Sequence, residues 1–133
     1  MYRMVLLALC LVAIPGAALD DLPIPEPTQN PDASYRIFRT LNIHTLLKLD
    51  TRTGQIWQLQ WSTDDNDRFS VPVNRSVLLP TGTPDHPTSL KPGRFTLSPT
   101  ANIYTFVLLD VEDGRTWQVQ WGDATHRFIV AIP

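Results

Sequence analysis

Between Tyr35 and Val73 apolar and polar positions alternate in short runs broken by turn-forming residues, and the same alternation returns between Phe95 and Ile132. A period of two is the mark of strands whose two sides meet different surroundings. In the first stretch it predicts strands over Tyr35–Phe38, Ile43–Asp50, Gln55–Trp61 and Arg68–Val73. They are joined by Thr40-Leu41-Asn42, by the four-residue loop Thr51-Arg52-Thr53-Gly54, and by the polar run STDDND. Asn42 is placed to take a left-handed backbone conformation, Asp50 to accept loop N–H groups, and Gly54 to supply a positive φ. The second stretch predicts the same four strands, around Phe95 and Leu97, then Ile103–Asp110, Arg115–Trp121 and Arg127–Ile132, with Val111-Glu112-Asp113-Gly114 as the matching hairpin loop. A helical period over three turns is nowhere visible after residue 18.

The two stretches are copies. TLNIHTLLKLDTRTGQIWQLQW at 40–61 and TANIYTFVLLDVEDGRTWQVQW at 100–121 share eleven of twenty-two positions at an offset of sixty. Two copies of one supersecondary unit must share a core or a symmetry axis. The expected fold is therefore all-β. Two four-stranded antiparallel meanders, related by an approximate twofold, are expected to share one sandwich- or barrel-like core.

Taken strand by strand, the apolar sets assign the core. Trp57, Leu59 and Trp61 share a side, as do Trp117, Val119 and Trp121. Ile43, Thr45, Leu47 and Leu49 form another set, with Ile103, Thr105, Val107 and Leu109 as its copy. Phe69, Val71 and Val73 match Phe128, Val130 and Ile132. Large indoles dominate any small core they enter, so these sides are expected to meet in the interior. Trp61 and Trp121, at the strand ends, lie nearest the surface. The opposite side of the second copy carries Tyr104, Phe106 and Leu108, an apolar stripe that water would not favour. Either the proline-rich crossing segment, with Val77, Leu78, Leu79 and Leu90, or a second chain is expected to cover it.

Composition adds a leader and subtracts most chemistry. Residues 1–18 hold one charge, Arg3, ahead of the apolar run Met4–Ile14, which Pro15 and Gly16 break before the small residues Ala17 and Ala18. Eleven apolar residues fall short of the roughly twenty that cross a bilayer, so 1–18 reads as a signal peptide cleaved near Ala18. Cys10, the sole cysteine, follows Leu9 where a lipidation site favours a small residue. The expected order is a Pro-rich tether at 19–33, then one β domain: repeat 1 at 34–73, a crossing loop at 74–92 and repeat 2 at 93–133. The mature chain then has no thiol and a mild negative charge, ten basic against thirteen acidic residues. That balance suits neither nucleic acid nor an anionic membrane, and the mature chain is expected to have no integral membrane segment.

Catalytic groups are sparse. Glu26 and Glu112 are the only glutamates, and His44, His86 and His126 show no triad or zinc spacing. The oxygen-rich turns at 64–67 and 110–114 lose their ligands in the other copy, so no metal and no cofactor is expected. The polar groups repeated on the non-core side are Gln58 and Gln60, with Gln118 and Gln120. Amides two residues apart can bind sugar hydroxyls or a peptide backbone. With Trp61 and Trp121 they make up the candidate ligand site, while Tyr104, Phe106 and Leu108 make up a candidate interface.

The string NIYTFVLLDVEDGRTWQVQW resembles a group of small secreted bacterial proteins that carry this unit twice, a resemblance that brings no catalytic residue with it. The shorter L-D-x-x-x-G-x-x-W of the hairpin is similar to β-propeller blades, and two blades would close a ring only as an oligomer. The reading is an exported non-enzymatic binding or structural module of the cell envelope or extracellular space, secreted, periplasmic or at the cell surface, with a glycan or protein ligand. The alternatives are a subunit of a homo-oligomer, propeller-like or part of an envelope complex, and, behind both, a small envelope enzyme.

Overall fold

The computed structural model describes residues 30–82, 88 and 90–133. The expected signal peptide, Cys10 and most of the tether lie outside the described residues. Among the described residues eight strands run in chain order: β1 (Tyr35–Arg39), β2 (Thr45–Asp50), β3 (Ile56–Gln60), β4 (Phe69–Pro72), β5 (Phe95–Pro99), β6 (Thr105–Asp110), β7 (Thr116–Gln120) and β8 (Phe128–Ile132). They form two antiparallel meanders, β1-β2-β3-β4 and β5-β6-β7-β8. The fold is all-β, with the two-repeat layout that the alternation implies. One 3₁₀ turn, Asp65–Asp67, interrupts the first β3–β4 connection, with the Asp64 carboxylate accepting from the Asn66 N–H.

The tight loops follow their sequences closely. Gly54 and Gly114 take φ of 76° and 78°, a region open to glycine at no steric cost. Their N–H groups donate to the Asp50 and Asp110 carbonyls at 3.0 and 2.9 Å. The Asp50 and Asp110 carboxylates accept from the Arg52 and Glu112 N–H groups. Asn42 works differently from expectation, since no non-glycine residue among those described has a positive φ. Its side-chain oxygen instead accepts from the His44 N–H at 2.8 Å, as Asn102 does from Tyr104 at 2.9 Å. Thr40 and Thr100 lock the same turn by donating to the carbonyls of Thr45 and Thr105. This turn delays β2 and β6 by two residues, which leaves Ile43 and Ile103 exposed rather than in the core.

The hairpin register decides which side chains share a side. Leu49 pairs with Ile56, Leu47 with Gln58, Lys48 with Trp57 and Leu46 with Leu59. Directly paired residues point the same way. Leu47 and Leu49 therefore share a side, here called the front, with Ile56 and Gln58, and not with the tryptophan row. The back carries Leu46, Lys48, Trp57 and Leu59. β6 and β7 repeat the arrangement: Val107, Leu109, Thr116 and Gln118 in front, Phe106, Leu108, Trp117 and Val119 behind.

The two sheets bury opposite sides. Apart from Asp50 and Asp110 at the hairpins, the buried residues of the first sheet are Thr45, Leu47, Leu49, Ile56, Gln58 and Val73, all on the front or continuing it. In the second they are Phe95, Leu97, Phe106, Leu108, Trp117, Val119 and Trp121, on the back. All the apolar members belong to one cluster, with Phe38, Leu78, Leu79 and Ile129 packed at its margin. The shared core is thus made front to back. A twofold axis would bury the same positions of both copies, so the expected face-to-face meeting of the two tryptophan rows is corrected. Trp57, Leu59, Val107 and Leu109 are only half-buried, and Trp61, Phe69, Phe128, Val130 and Ile132 are exposed. Phe106 and Leu108 prove to be core residues, covered by the chain's own first sheet.

Main-chain bonds pin this stacking. The Phe95 N–H donates to the Thr51 carbonyl at 2.8 Å, and the Leu78 N–H to the Thr53 carbonyl at 2.9 Å. The Gly93 N–H reaches Thr51 Oγ1. Asn74 ties the departing chain to β3, accepting from the Ile56 N–H at 2.7 Å and donating to the Gly54 carbonyl. Beneath the second hairpin, Arg94 forks onto Asp110, Nε to Oδ1 at 3.0 Å and a terminal nitrogen to Oδ2 at 2.8 Å. Both are buried. Burial alone would push the Asp110 carboxyl up, but hydrogen bonds from Arg94, the Glu112 N–H and Arg115 hold it below the ordinary carboxylate range. The first copy has Ser34 at the place of Arg94 and pairs Asp50 with Arg52 instead. Two edge strands end in proline, β4 in Pro72 and β5 in Pro99.

Candidate functional site

The closing tryptophan of W-Q-x-Q-W makes the same corner in both copies. The Trp61 N–H donates to the His44 carbonyl at 3.1 Å, and its indole Nε1 to the Ile43 carbonyl at 2.9 Å. The His44 and Trp61 rings lie 5.1 Å apart. Trp121 repeats this with the Tyr104 and Ile103 carbonyls, and the Tyr104 and Trp121 rings are 5.0 Å apart. Both indole N–H groups are used in holding the turn before the second strand of their unit, so neither tryptophan offers a donor to a ligand.

The copies differ in what surrounds this corner. Trp121 is 4% exposed and Trp61 50%. At Trp121 the corner opens on a depression of about 300 Å³ lined by Tyr104, Gln120, Trp121, Gly122, Asp123 and His126. Tyr104 presents an exposed ring, Trp121 forms a wall, and Gln120 brings an amide that can both donate and accept. Asp123 accepts from the Thr125 N–H at 2.8 Å and from its hydroxyl, and it lies 2.8 Å from His126 Nδ1. Thr125, then His126, hold its carboxyl well below the usual carboxylate range. The depression thus combines an aromatic face, an amide and a fixed anion, a set suited to a ligand with hydroxyl donors and one apolar face. At Trp61 a wider groove of about 630 Å³ runs past Arg39, Leu41, Ile43 and Leu46 on the back of the first sheet.

The residues singled out by sequence separate into distinct places. Gln120 and Trp121 come together in the depression. Gln58 is buried, its Oε1 accepting from the Gly122 N–H at 3.0 Å across the joint between sheets, so it is not a ligand group. Gln60 and Gln118 are half-buried on the fronts of different sheets. Trp61 lines its own groove. Of the Tyr104, Phe106 and Leu108 stripe, only Tyr104 reaches solvent. Asp123 and His126 were missed by sequence reading because the loop is one residue longer in the first copy, where Asp64 caps the same kind of turn but Asp67 stands in place of the histidine. The i, i+2 spacing of Asp123 and Thr125 was the available signal, since that spacing favours a carboxylate-capped turn.

Among the described residues no group of three or more His, Cys, Asp or Glu could hold a metal ion, and no helix is long and apolar enough to cross a membrane. No family model matches the chain, and no curated protein or solved structure matches it.

Proposed function

We propose that this chain is an exported, non-enzymatic binding module whose ligand is a glycan, held at the Tyr104–Trp121 corner. The observation that carries the reading is the depression itself. An exposed aromatic ring stands beside an amide and a carboxylate that hydrogen bonds keep ionised. A sugar ring would lay its apolar face on Tyr104 while its hydroxyls donate to Asp123 and exchange hydrogen bonds with Gln120. The leader-like start of the chain supports delivery to the periplasm, the cell surface or the medium.

A glycan array probed with the purified protein tests this. Binding to a defined set of sugars is expected, lost in Tyr104→Ala and in Asp123→Asn while the far-UV circular dichroism stays unchanged. An array without hits, or hits that both variants retain, removes the reading.

A further inference from the structure

The joint inside this chain uses one front and one back, and it leaves over one of each. The front of β5–β8 and the back of β1–β4 are sixty-residue copies of the two surfaces that meet in the core. Phe95 and Trp117, buried with ring centroids 6.1 Å apart, correspond to Tyr35, 52% exposed, and half-buried Trp57. Phe106 and Val119 correspond to Leu46 and Leu59. On the other side Leu47, Leu49 and Gln58 correspond to Val107, Leu109 and Gln118, and beyond them Phe128, Val130 and Ile132 stand exposed.

We propose that copies of this chain join head to tail into a closed ring, the front of the second sheet of one copy stacking on the back of the first sheet of the next. The occupant of each open surface is a second copy of this chain because the interior joint already shows what each surface accepts. Space is reserved for it. A Cβ on Gly54 would lie 3.1 Å from the Phe95 ring, whereas one on Gly114 meets nothing within 4 Å. In the ring, Tyr35 of the next copy fills the place beside Gly114. The broad groove along Arg39, Leu41, Leu46 and Trp61 likewise matches the place on the second sheet where Arg39, Thr40 and Leu41 lie against Pro99, Thr100 and Phe106 and leave only about 250 Å³. The anchoring bonds carry over as well. Gln118 Oε1 would accept from the Ser62 N–H as Gln58 does from Gly122, and the Val111 carbonyl from the Tyr35 N–H as Thr51 does from Phe95.

A front-to-back contact is heterologous, so repeating it continues until rotation closes the ring. Rings of stacked four-stranded sheets typically hold about four to eight sheets, which is about two to four copies of this chain. Lys48 stands where the buried joint has Leu108. Its ammonium lies 4.6 Å from the centre of the Trp57 ring and 6.0 Å from that of Tyr35, so it enters the contact already lodged on aromatic faces. The ring rests on the sheet surfaces and not on the glycan reading; the two share Gln120, which pairs with Phe128 at the end of the open front.

Light scattering and native mass spectrometry on the secreted chain test the proposal, with Leu109→Glu spoiling the open front and Leu59→Glu the open back. The wild type is expected as one closed species of more than one copy, and each variant as a monomer with unchanged circular dichroism. The two variants mixed should form a one-to-one pair and nothing larger, since each keeps one good surface. A monomeric wild type, a variant of undiminished size, or a mixture that stays monomeric overturns the proposal. Should either glutamate variant unfold, Gln118→Ala decides. Loss of one hydrogen bond across the contact should raise the dissociation constant about tenfold, and an unchanged constant overturns the ring.

Discussion

Gln58 and Gly122 are joined across the interior: the amide oxygen accepts from the glycine N–H at 3.0 Å, with Gln58 4% exposed. This bond fixes the end of β7 of the second sheet to the middle of β3 of the first. It also gives one glutamine of the repeated row a role that its copy, Gln118, lacks within the single chain.

Replacing Gln58 by Ala strands the Gly122 N–H and opens a small void, at a cost of about 1–3 kcal/mol. Gln118→Ala, at the matching position of the open front, should change the stability of the separated chain by no more than about 0.5 kcal/mol. Urea titrations of both variants, at a dilution where chains are separate, compare the two.

Leu49 and Leu109 are a second such pair. Leu49 is fully buried and Leu109 half-buried. Leu49→Ala should cost about 2–5 kcal/mol, the range for emptying a core site, and Leu109→Ala less than half as much. Equal losses, measured again by urea at high dilution, would mean that the two fronts are equally covered.

Both hairpin glycines have a positive φ, and an alanine there costs about 1–2 kcal/mol from backbone strain alone. Gly54→Ala meets Leu78 and Phe95 at 3.1 Å in addition, whereas Gly114→Ala has open space around it. Thermal unfolding should therefore rank Gly54→Ala as clearly the worse of the two.

The Arg94–Asp110 fork sets an acid limit. Removing the guanidinium in Arg94→Ala leaves Asp110 buried without its main partner, a loss of about 3–5 kcal/mol. Because the folded carboxyl is held below its unfolded value, the ion pair stabilises fully above that unfolded value, about 3.9. Its contribution is lost as pH falls through the folded value. The urea midpoint should fall below about pH 4 in the wild type, and this fall should be shallower in Asp110→Asn.

The strands and hairpins were legible because period-two alternation and the D-x-x-x-G loops are local signals. The choice of buried side was not read from them. In β2 both sides are apolar, Leu47 and Leu49 in front and Leu46 behind, so hydrophobicity alone does not choose. Grouping Leu47 with Trp57 overlooked the loop: four residues between Asp50 and Gln55 set Leu49 opposite Ile56, and hence Leu47 opposite Gln58. Register was in the sequence. The front-to-back joint was not, because it depends on which copy's surface the first sheet meets after the crossing segment. The corner depression was half legible, through Gln120 and Trp121, and half hidden in a loop that the repeat does not preserve.

Pro72 and Pro99 give the molecule a further property. A proline has no N–H to offer an incoming strand, and at an edge it blunts the template on which amyloid-like fibrils grow. A chain with broad apolar sheet surfaces is exposed to that hazard, and two of its rims are guarded at the backbone itself. Sideways polymerisation is discouraged there, while stacking remains open.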